Sequence, residues 1–341
     1  MRVTFEQLKA ATLGAVRVQQ DEQGIHFYRF TEAQEALYSR TAAKASAYVR
    51  SITTAGVRLH FRTNSCSLGL AVTVTQGTSR SYFSFDVLVN GKRIGTLDNI
   101  GDTVLQGAPQ QELPIGSFEG AFDLGAGEKE VCIHFPWSVV AVLKALTLDD
   151  GATFMPVKPD KKILVLGDSI TQGYDARYSS HRYAAQICDR LGAEEVNKAI
   201  GGECFFPPLA ATPDDFTPAL IWVAYGTNDW SNDTEATIRT ACRAFYEALC
   251  TSYPGVTIVA LTPIWRGDQA EAKDCAFLDV QRLIHEETAH LPQVTVIDGY
   301  DLVPKDSAYF ADLRLHPNDD GFAAYVENFY HALSEVGYDR V

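Results

Sequence analysis

Positive charge is scarce in this sequence. Lys and Arg number 29 against 43 Asp and Glu, which leaves a net charge of -14. No basic stripe is present, and binding along a phosphate backbone needs clustered cations, so nucleic acid is excluded as a partner. Long apolar runs are missing too. None approaches the ~18 residues that a membrane-spanning helix needs, so no membrane partner is expected. Met1 to Lys9 holds no uninterrupted apolar stretch of the kind a signal peptide carries. Cysteine is present in an odd number, which leaves at least one thiol without a disulfide partner: Cys66, Cys132, Cys188, Cys204, Cys242, Cys250 and Cys275 make seven. Their spacing fits no zinc site, and free thiols in the cytoplasm are the expectation. No His, Asp or Glu cluster has metal-ligand spacing, and no glycine-rich loop cradles a phosphate. No metal and no cofactor are therefore expected. Internal repeats and low-complexity tracts are also lacking. Oligomeric state is left open.

What is there is ordinary globular material, with 46% hydrophobic and 21% charged residues over 341 positions. That length suits two domains. Residues 1 to about 50 have the weakest pattern; the Ala-rich stretch Ala33 to Tyr48 is expected to be helical. From about 50 to 150 the apolar period becomes two. Val57, Leu59 and Phe61 alternate with polar neighbours, as do Leu68, Leu70, Val72 and Val74. Phe83, Phe85, Val87 and Val89 follow, then Val131, Ile133 and Phe135. Asn90-Gly91 after one such run is a strong hairpin signal. Residues 1–150 are thus expected to form an antiparallel β-sandwich, jelly-roll-like, and 151–161 a Pro- and Gly-bearing linker.

Beyond residue 162 short apolar strands alternate with helical patterns. Candidate strands are Ile163 to Leu166, Glu195 to Lys198, Leu220 to Tyr225, Val256 to Thr262 and Val294 to Asp298. Helical spacing links Ile238, Ala241, Cys242, Phe245 and Leu249, and again Phe322, Tyr325, Val326, Phe329 and Leu333. Such alternation predicts a parallel sheet with helices on both faces, a flavodoxin-like three-layer α/β/α domain over 162–341.

Four short segments follow these strands or precede the last helix, and a parallel sheet gathers its strand ends on one edge. They are Gly167-Asp168-Ser169, Asn197 to Gly202, Gly226-Thr227-Asn228-Asp229 and Asp312 to Asp319. Their contents suit acyl transfer. Ser169 is the candidate nucleophile and His316 the base that takes its proton. A carboxylate would fix the His tautomer, and Asp312 is the candidate. The backbone N–H groups of Ser169 and Gly202 and the side-chain amide of Asn228 are candidate donors to an oxyanion.

The four segments, in this order, resemble the GDSL or SGNH hydrolase family, named for its Ser, Gly, Asn and His. Ser169 falls on the nucleophile, Gly202 and Asn228 on the oxyanion donors, and His316 on the base. One departure stands out: the acid of that family usually lies three residues before the His, where this chain has Leu313. Asp312 lies four before, and Asp306, Asp319 or a backbone carbonyl are the alternatives. The domain order resembles that of two-domain carbohydrate acetyl esterases with an N-terminal β-sandwich. The resemblance implies a serine esterase acting on short acyl esters, most readily O-acetyl groups on a sugar or oligosaccharide. A broader acyl hydrolase, lipase, thioesterase or acyltransferase is the alternative. A non-catalytic carbohydrate-binding protein is the alternative from another class.

Trp230, Trp265 and Arg266 lie past the third and fourth strands and are candidate substrate-binding residues, with Asp168. Each also has a plainer reading, as ordinary packing or, for Asp168, as a helix cap. His181 and His285 read as structural, and Cys204 as a small buried hydrophobe.

Overall fold

A computed structural model describes residues 1–39 and 45–340. The first part of the chain builds two antiparallel sheets. One runs Thr12–Leu13, Arg58–Thr63, Lys129–His134, Ser84–Val89, Lys92–Asp98 in spatial order. The other runs Arg17–Asp21, Gly24–Tyr28, Val139–Leu148, Ser67–Gln76, Gly116–Asp123. The alternating residues explain the pairing of the two sheets. Leu59, Phe61, Leu70, Val72, Phe85, Val87, Val131 and Ile133 point one way and fill a single apolar core between them. At Asn90-Gly91 both residues take positive φ, 49° and 77°. That is the geometry a two-residue hairpin turn demands, and Asn and Gly are the residues that reach it cheaply.

The hairpin Arg17–Asp21 and Gly24–Tyr28 was not legible beforehand. Its outer strand is largely exposed and carries Gln19, Gln20 and Asp21, so no apolar alternation marks it. The helix expected over Ala33 to Tyr48 is present as Glu32–Ser39 and Ala45–Ser51, and residues 40–44 between them lie outside the described residues. Met155–Pro156, in the expected linker, instead adds a two-residue strand beside Phe61 and Arg62.

The second part is a five-stranded parallel sheet. Its strands are Lys162–Gly167, Glu194–Asn197, Leu220–Ala224, Ile258–Leu261 and Val294–Ile297, and their spatial order is second, first, third, fourth, fifth. That is the flavodoxin-like order, with its switch point between the first and third strands. Alternate residues of each strand face opposite sides. Ile163, Val165 and Trp222 pack on Tyr183–Arg190 and Asp319–Glu335 through Ile187, Phe322, Tyr325 and Phe329. Leu164, Leu166, Ile221 and Val223 pack on Glu235–Ser252 and Phe277–Thr288 through Ile238, Phe245, Val280 and Leu283. Both sheet faces are therefore covered, as an all-parallel sheet requires. No helix among the described residues is long and apolar enough to cross a membrane.

Candidate active site

The first strand ends at Gly167, and a four-residue helix, Ser169–Gln172, follows at once. The turn is tight. A Cβ on Gly167 would meet Thr171 Oγ1 at 2.5 Å, so only glycine fits. Asp168 caps the helix by accepting the Ile170 N–H at 2.9 Å. Burial raises its carboxyl to about 6. This places Ser169 at the start of the helix and at the carboxyl edge of the sheet, 5% exposed.

Ser169 Oγ lies 2.9 Å from His316 Nε2. The opposite ring nitrogen, Nδ1, lies 2.8 Å from Asp312 Oδ2. The four-residue spacing between acid and base is absorbed by one backbone feature. Leu313 takes φ 64°, in the left-handed region. The chain curls there, and Asp312 Oδ1 accepts the N–H groups of Arg314, Leu315 and His316 at 3.1, 2.7 and 3.0 Å. One carboxylate oxygen thus organises the loop while the other holds the imidazole. Burial alone would raise the Asp312 carboxyl. The bonds from the His316 ring and from the Leu315 and His316 amides outweigh it and hold the group well below the usual carboxylate range.

The candidate oxyanion donors come from the next two strand ends. Gly202 is exposed with φ 81°, a conformation that favours glycine. Its neighbour Gly201 donates to Gln172 Oε1 at 2.7 Å, which ties this loop to the serine helix. The Asn228 amide donates to the Glu203 carbonyl at 3.1 Å, so Asn228 and the Gly202 loop are fastened together. Asp229 reinforces the same junction, accepting from Phe205 N at 2.9 Å and Gly226 N at 3.0 Å. Burial pushes the Asp229 carboxyl up to about 7.

Three of the residues expected to touch substrate are placed elsewhere. Trp230 is 1% exposed, packs edge-on against Phe277, and spends its N–H on the Cys275 carbonyl. The Arg266 guanidinium is buried over the Trp230 ring and bonds Thr227 O, Ser231 Oγ and Asp268. It braces the short helix Thr227–Asn232 that carries Asn228. Asp168 is the cap just described. The Trp230 N–H and the Arg266 guanidinium are thus engaged inside the protein, and Asp168 Oδ1 is engaged by the helix. Trp265 is half-buried, its ring 5.2 Å from Phe310, beside the loop of Asp312 and His316. His181 pairs with Asp319 and His285 with Asp298, both as structural contacts. Cys204 is half-buried.

Several residues at this site gave no signal in sequence, because they come from the first part of the chain. Arg29 is fully buried, and its five N–H bonds go to Thr53 O, Thr53 Oγ1, Arg50 O, Asn197 O and Ala199 O. Arg50 donates to the Gly201 carbonyl at 2.7 Å. Gln106 donates to the Phe310 carbonyl at 2.8 Å, and the Gly107 N–H to the Ala311 carbonyl at 2.7 Å. The sandwich therefore grips both the glycine loop and the histidine loop.

Residues 165–324 match the GDSL-like Lipase/Acylhydrolase family. A search of curated proteins finds no match. Among solved structures, the fold is similar to the salicylyl-acyltransferase SsfX3 of a tetracycline biosynthetic pathway. The TM-score is 0.79 at 20% identity, over 96% of this chain and 94% of that one. It is also similar to a family two carbohydrate esterase from Clostridium thermocellum, solved with cellohexaose. There the TM-score is 0.65 at 14% identity, over 96% and 99%. A family two carbohydrate esterase from Cellvibrio japonicus gives 0.65 at 19% identity, over 97% and 96%. These full-length likenesses show that the overall fold, antiparallel sheets before a flavodoxin-like parallel sheet, is shared. They carry the fold; the chemistry must come from the residues.

Proposed function

We propose that this chain is a serine esterase that cleaves short acyl esters, with O-acetyl groups on carbohydrates as the favoured substrates. The observation that carries this reading is the unbroken relay Ser169 Oγ, His316 Nε2, His316 Nδ1, Asp312 Oδ2, at 2.9 and 2.8 Å. A serine hydroxyl is a poor nucleophile until a base takes its proton. His316 accepts that proton at Nε2 as Ser169 Oγ bonds to the acyl carbon. Asp312 keeps the Nδ1–H tautomer and offsets the imidazolium charge. The oxyanion is received by the N–H groups of Ser169 and Gly202 and by the Asn228 amide, each such donor contributing about 3 kcal/mol to the barrier reduction. His316 then returns the proton to the departing alcohol, and water activated at the same nitrogen releases the acid. No step calls on a metal or cofactor.

The carbohydrate preference is supported by the two-domain likeness to family two carbohydrate esterases, one of them solved with an oligosaccharide. Trp265, half-buried beside the histidine loop, is the aromatic surface available for a sugar ring. The likeness to an acyltransferase favours a second reading, in which an alcohol rather than water receives the acyl group from Ser169. Seven unpaired thiols suit a reducing compartment.

The test is hydrolysis of p-nitrophenyl acetate and acetate release from a panel of acetylated oligosaccharides, with Ser169→Ala as the control. Activity in the parent and none in the variant is expected. Equal inactivity of both on every ester sinks the esterase reading. A rate that climbs from acetate to octanoate removes the acetyl preference, and product partitioning toward an added alcohol selects the transferase.

A further inference from the structure

A second carboxylate stands against the ring of His316, and the sandwich holds it there. Asp175 lies just past the serine helix, 2% exposed, with φ 70°. Asp is one of the few side-chain-bearing residues that tolerates this left-handed conformation. The turn brings Asp175 Oδ2 to 3.5 Å from His316 Nδ1, the nitrogen that Asp312 also faces. Arg80, from the first part of the chain, grips Asp175 in a two-pronged pair. Its Nε donates to Oδ1 at 2.7 Å and its Nη2 to Oδ2 at 2.9 Å. The Tyr82 hydroxyl donates to Oδ1 at 2.8 Å. Oδ1 is thereby saturated, and Oδ2 has one donor and a free side toward the imidazole.

Arg80 reaches the histidine by another route as well. Its guanidinium lies 5.6 Å from the centre of the Tyr174 ring, and that ring stacks on His316 at 5.4 Å and 28°. Tyr174 is fixed from behind by Trp137, at 4.8 Å. Arg80, Tyr82 and Trp137 all precede the parallel sheet in sequence, while Ser169, Asp175 and His316 belong to it. A bidentate guanidinium–carboxylate pair fixes direction as well as charge.

We propose that Asp175, clamped by Arg80 and Tyr82, is a positioning residue that serves as a reserve acceptor for the His316 Nδ1–H. The sandwich thereby sets the orientation of the general base. This rests on the serine esterase reading above. In the ground state Asp312 holds the shorter bond. When His316 takes the Ser169 proton, or when Asp312 is lost, Asp175 restrains the ring and keeps its tautomer. Arg80 keeps the reserve carboxylate aimed at the ring.

The test is a double-mutant cycle between Asp175→Asn and Asp312→Asn, read as kcat and KM on p-nitrophenyl acetate. Two groups sharing one proton give non-additive losses. Asp175→Asn is expected to lower kcat by a few fold in the parent and by at least about tenfold more once Asp312 is gone, with KM little changed. Tyr82→Phe removes one hydrogen bond and no charge, so it tests the clamp should Asp175→Asn fail to fold. Its loss of kcat is expected to be larger in the Asp312→Asn background. Arg80→Gln should lower kcat and Arg80→Lys should recover part of it. In proton NMR, a downfield imidazole N–H resonance should survive Asp312→Asn and vanish in the double variant. Losses that multiply without coupling, with no such resonance after Asp312→Asn, would overturn the proposal and leave Asp175 as a structural ion pair. An inactive parent enzyme would instead count against the esterase reading itself.

Discussion

Replacing Asp312 by Asn separates the two jobs of that side chain. Oδ1 accepts three backbone N–H groups and Oδ2 accepts the imidazole N–H. An Asn oxygen can keep the three amide bonds, so the loop should hold and the loss in stability should stay near 1 kcal/mol, the worth of one altered hydrogen bond. The amide nitrogen, however, then faces His316 Nδ1, donor against donor. That contact favours a ring proton on Nε2, where the ring cannot accept from Ser169, and Asp175 is left as the carboxylate opposing the switch. In a serine protease the same loss of tautomer control costs about 10⁴ in kcat. Asp175 Oδ2 at 3.5 Å offers a partial substitute here, so a fall of roughly 10²–10⁴ is expected. The assay is p-nitrophenyl acetate turnover beside thermal unfolding at pH 7. The carboxyl is held below its ordinary range in the fold. Its stabilising effect is therefore present above the ordinary carboxylate pKa and fades as pH falls through it, so the stability gap between parent and variant should close in acid. A kcat within a few fold of the parent would refute Asp312 as the orienting acid. A collapsed fold at pH 7 would refute the division of labour between its two oxygens.

Three other outcomes follow from the packing. Gly201→Ala would set a Cβ 2.7 Å from the Tyr174 ring, which is itself stacked on His316. It should cost about 1–3 kcal/mol and lower kcat, and an unchanged melting temperature with full activity would contradict this contact. Asp229 is raised to about 7 by burial, so between about pH 4 and 7 the folded chain keeps a proton that the unfolded chain has released. Stability therefore falls as pH rises through that window, and Asp229→Asn should narrow its deficit against the parent from pH 5 to pH 8. A constant difference in melting temperature would count against it. Leu313→Gly relieves a left-handed leucine, a strain of about 1–2 kcal/mol, but frees the loop between acid and base. Melting temperature should change little while kcat drops; an unchanged kcat would show that the loop needs no such stiffness.

Much of this architecture could be read beforehand, for identifiable reasons. The alternating runs around Leu59, Leu70, Phe85 and Ile133 announced the sandwich because each strand has one dry face. The strand ends at Gly167, Asn197 and Ala224 could be expected to meet because a parallel sheet collects them on one edge. The outer hairpin strand Arg17–Asp21 lacked that asymmetry, and the hairpin stayed hidden. Trp230 and Arg266 misled because position along an edge says nothing of orientation: both turn inward and pack on each other. Asp312 looked one residue out of place, since spacing in sequence does not reveal a left-handed residue such as Leu313. Arg29, Arg80 and Tyr82 were beyond reach altogether. Their partners are about 90 to 170 positions away, and no local pattern connects a guanidinium to carbonyls that far along the chain.

Arg29 bears on how the molecule assembles. All five of its N–H bonds end on neutral oxygens, two of them the Asn197 and Ala199 carbonyls of the glycine loop. Until the two halves meet, that guanidinium has only its near acceptors and the loop carbonyls have none from it. Burying either without the other is costly, so docking of the halves and shaping of the loop are expected to be coupled. A nascent or partly unfolded chain would then hold its serine without a finished site around it. The buried arginine thus ties the shape of the candidate site to the meeting of both halves of the chain.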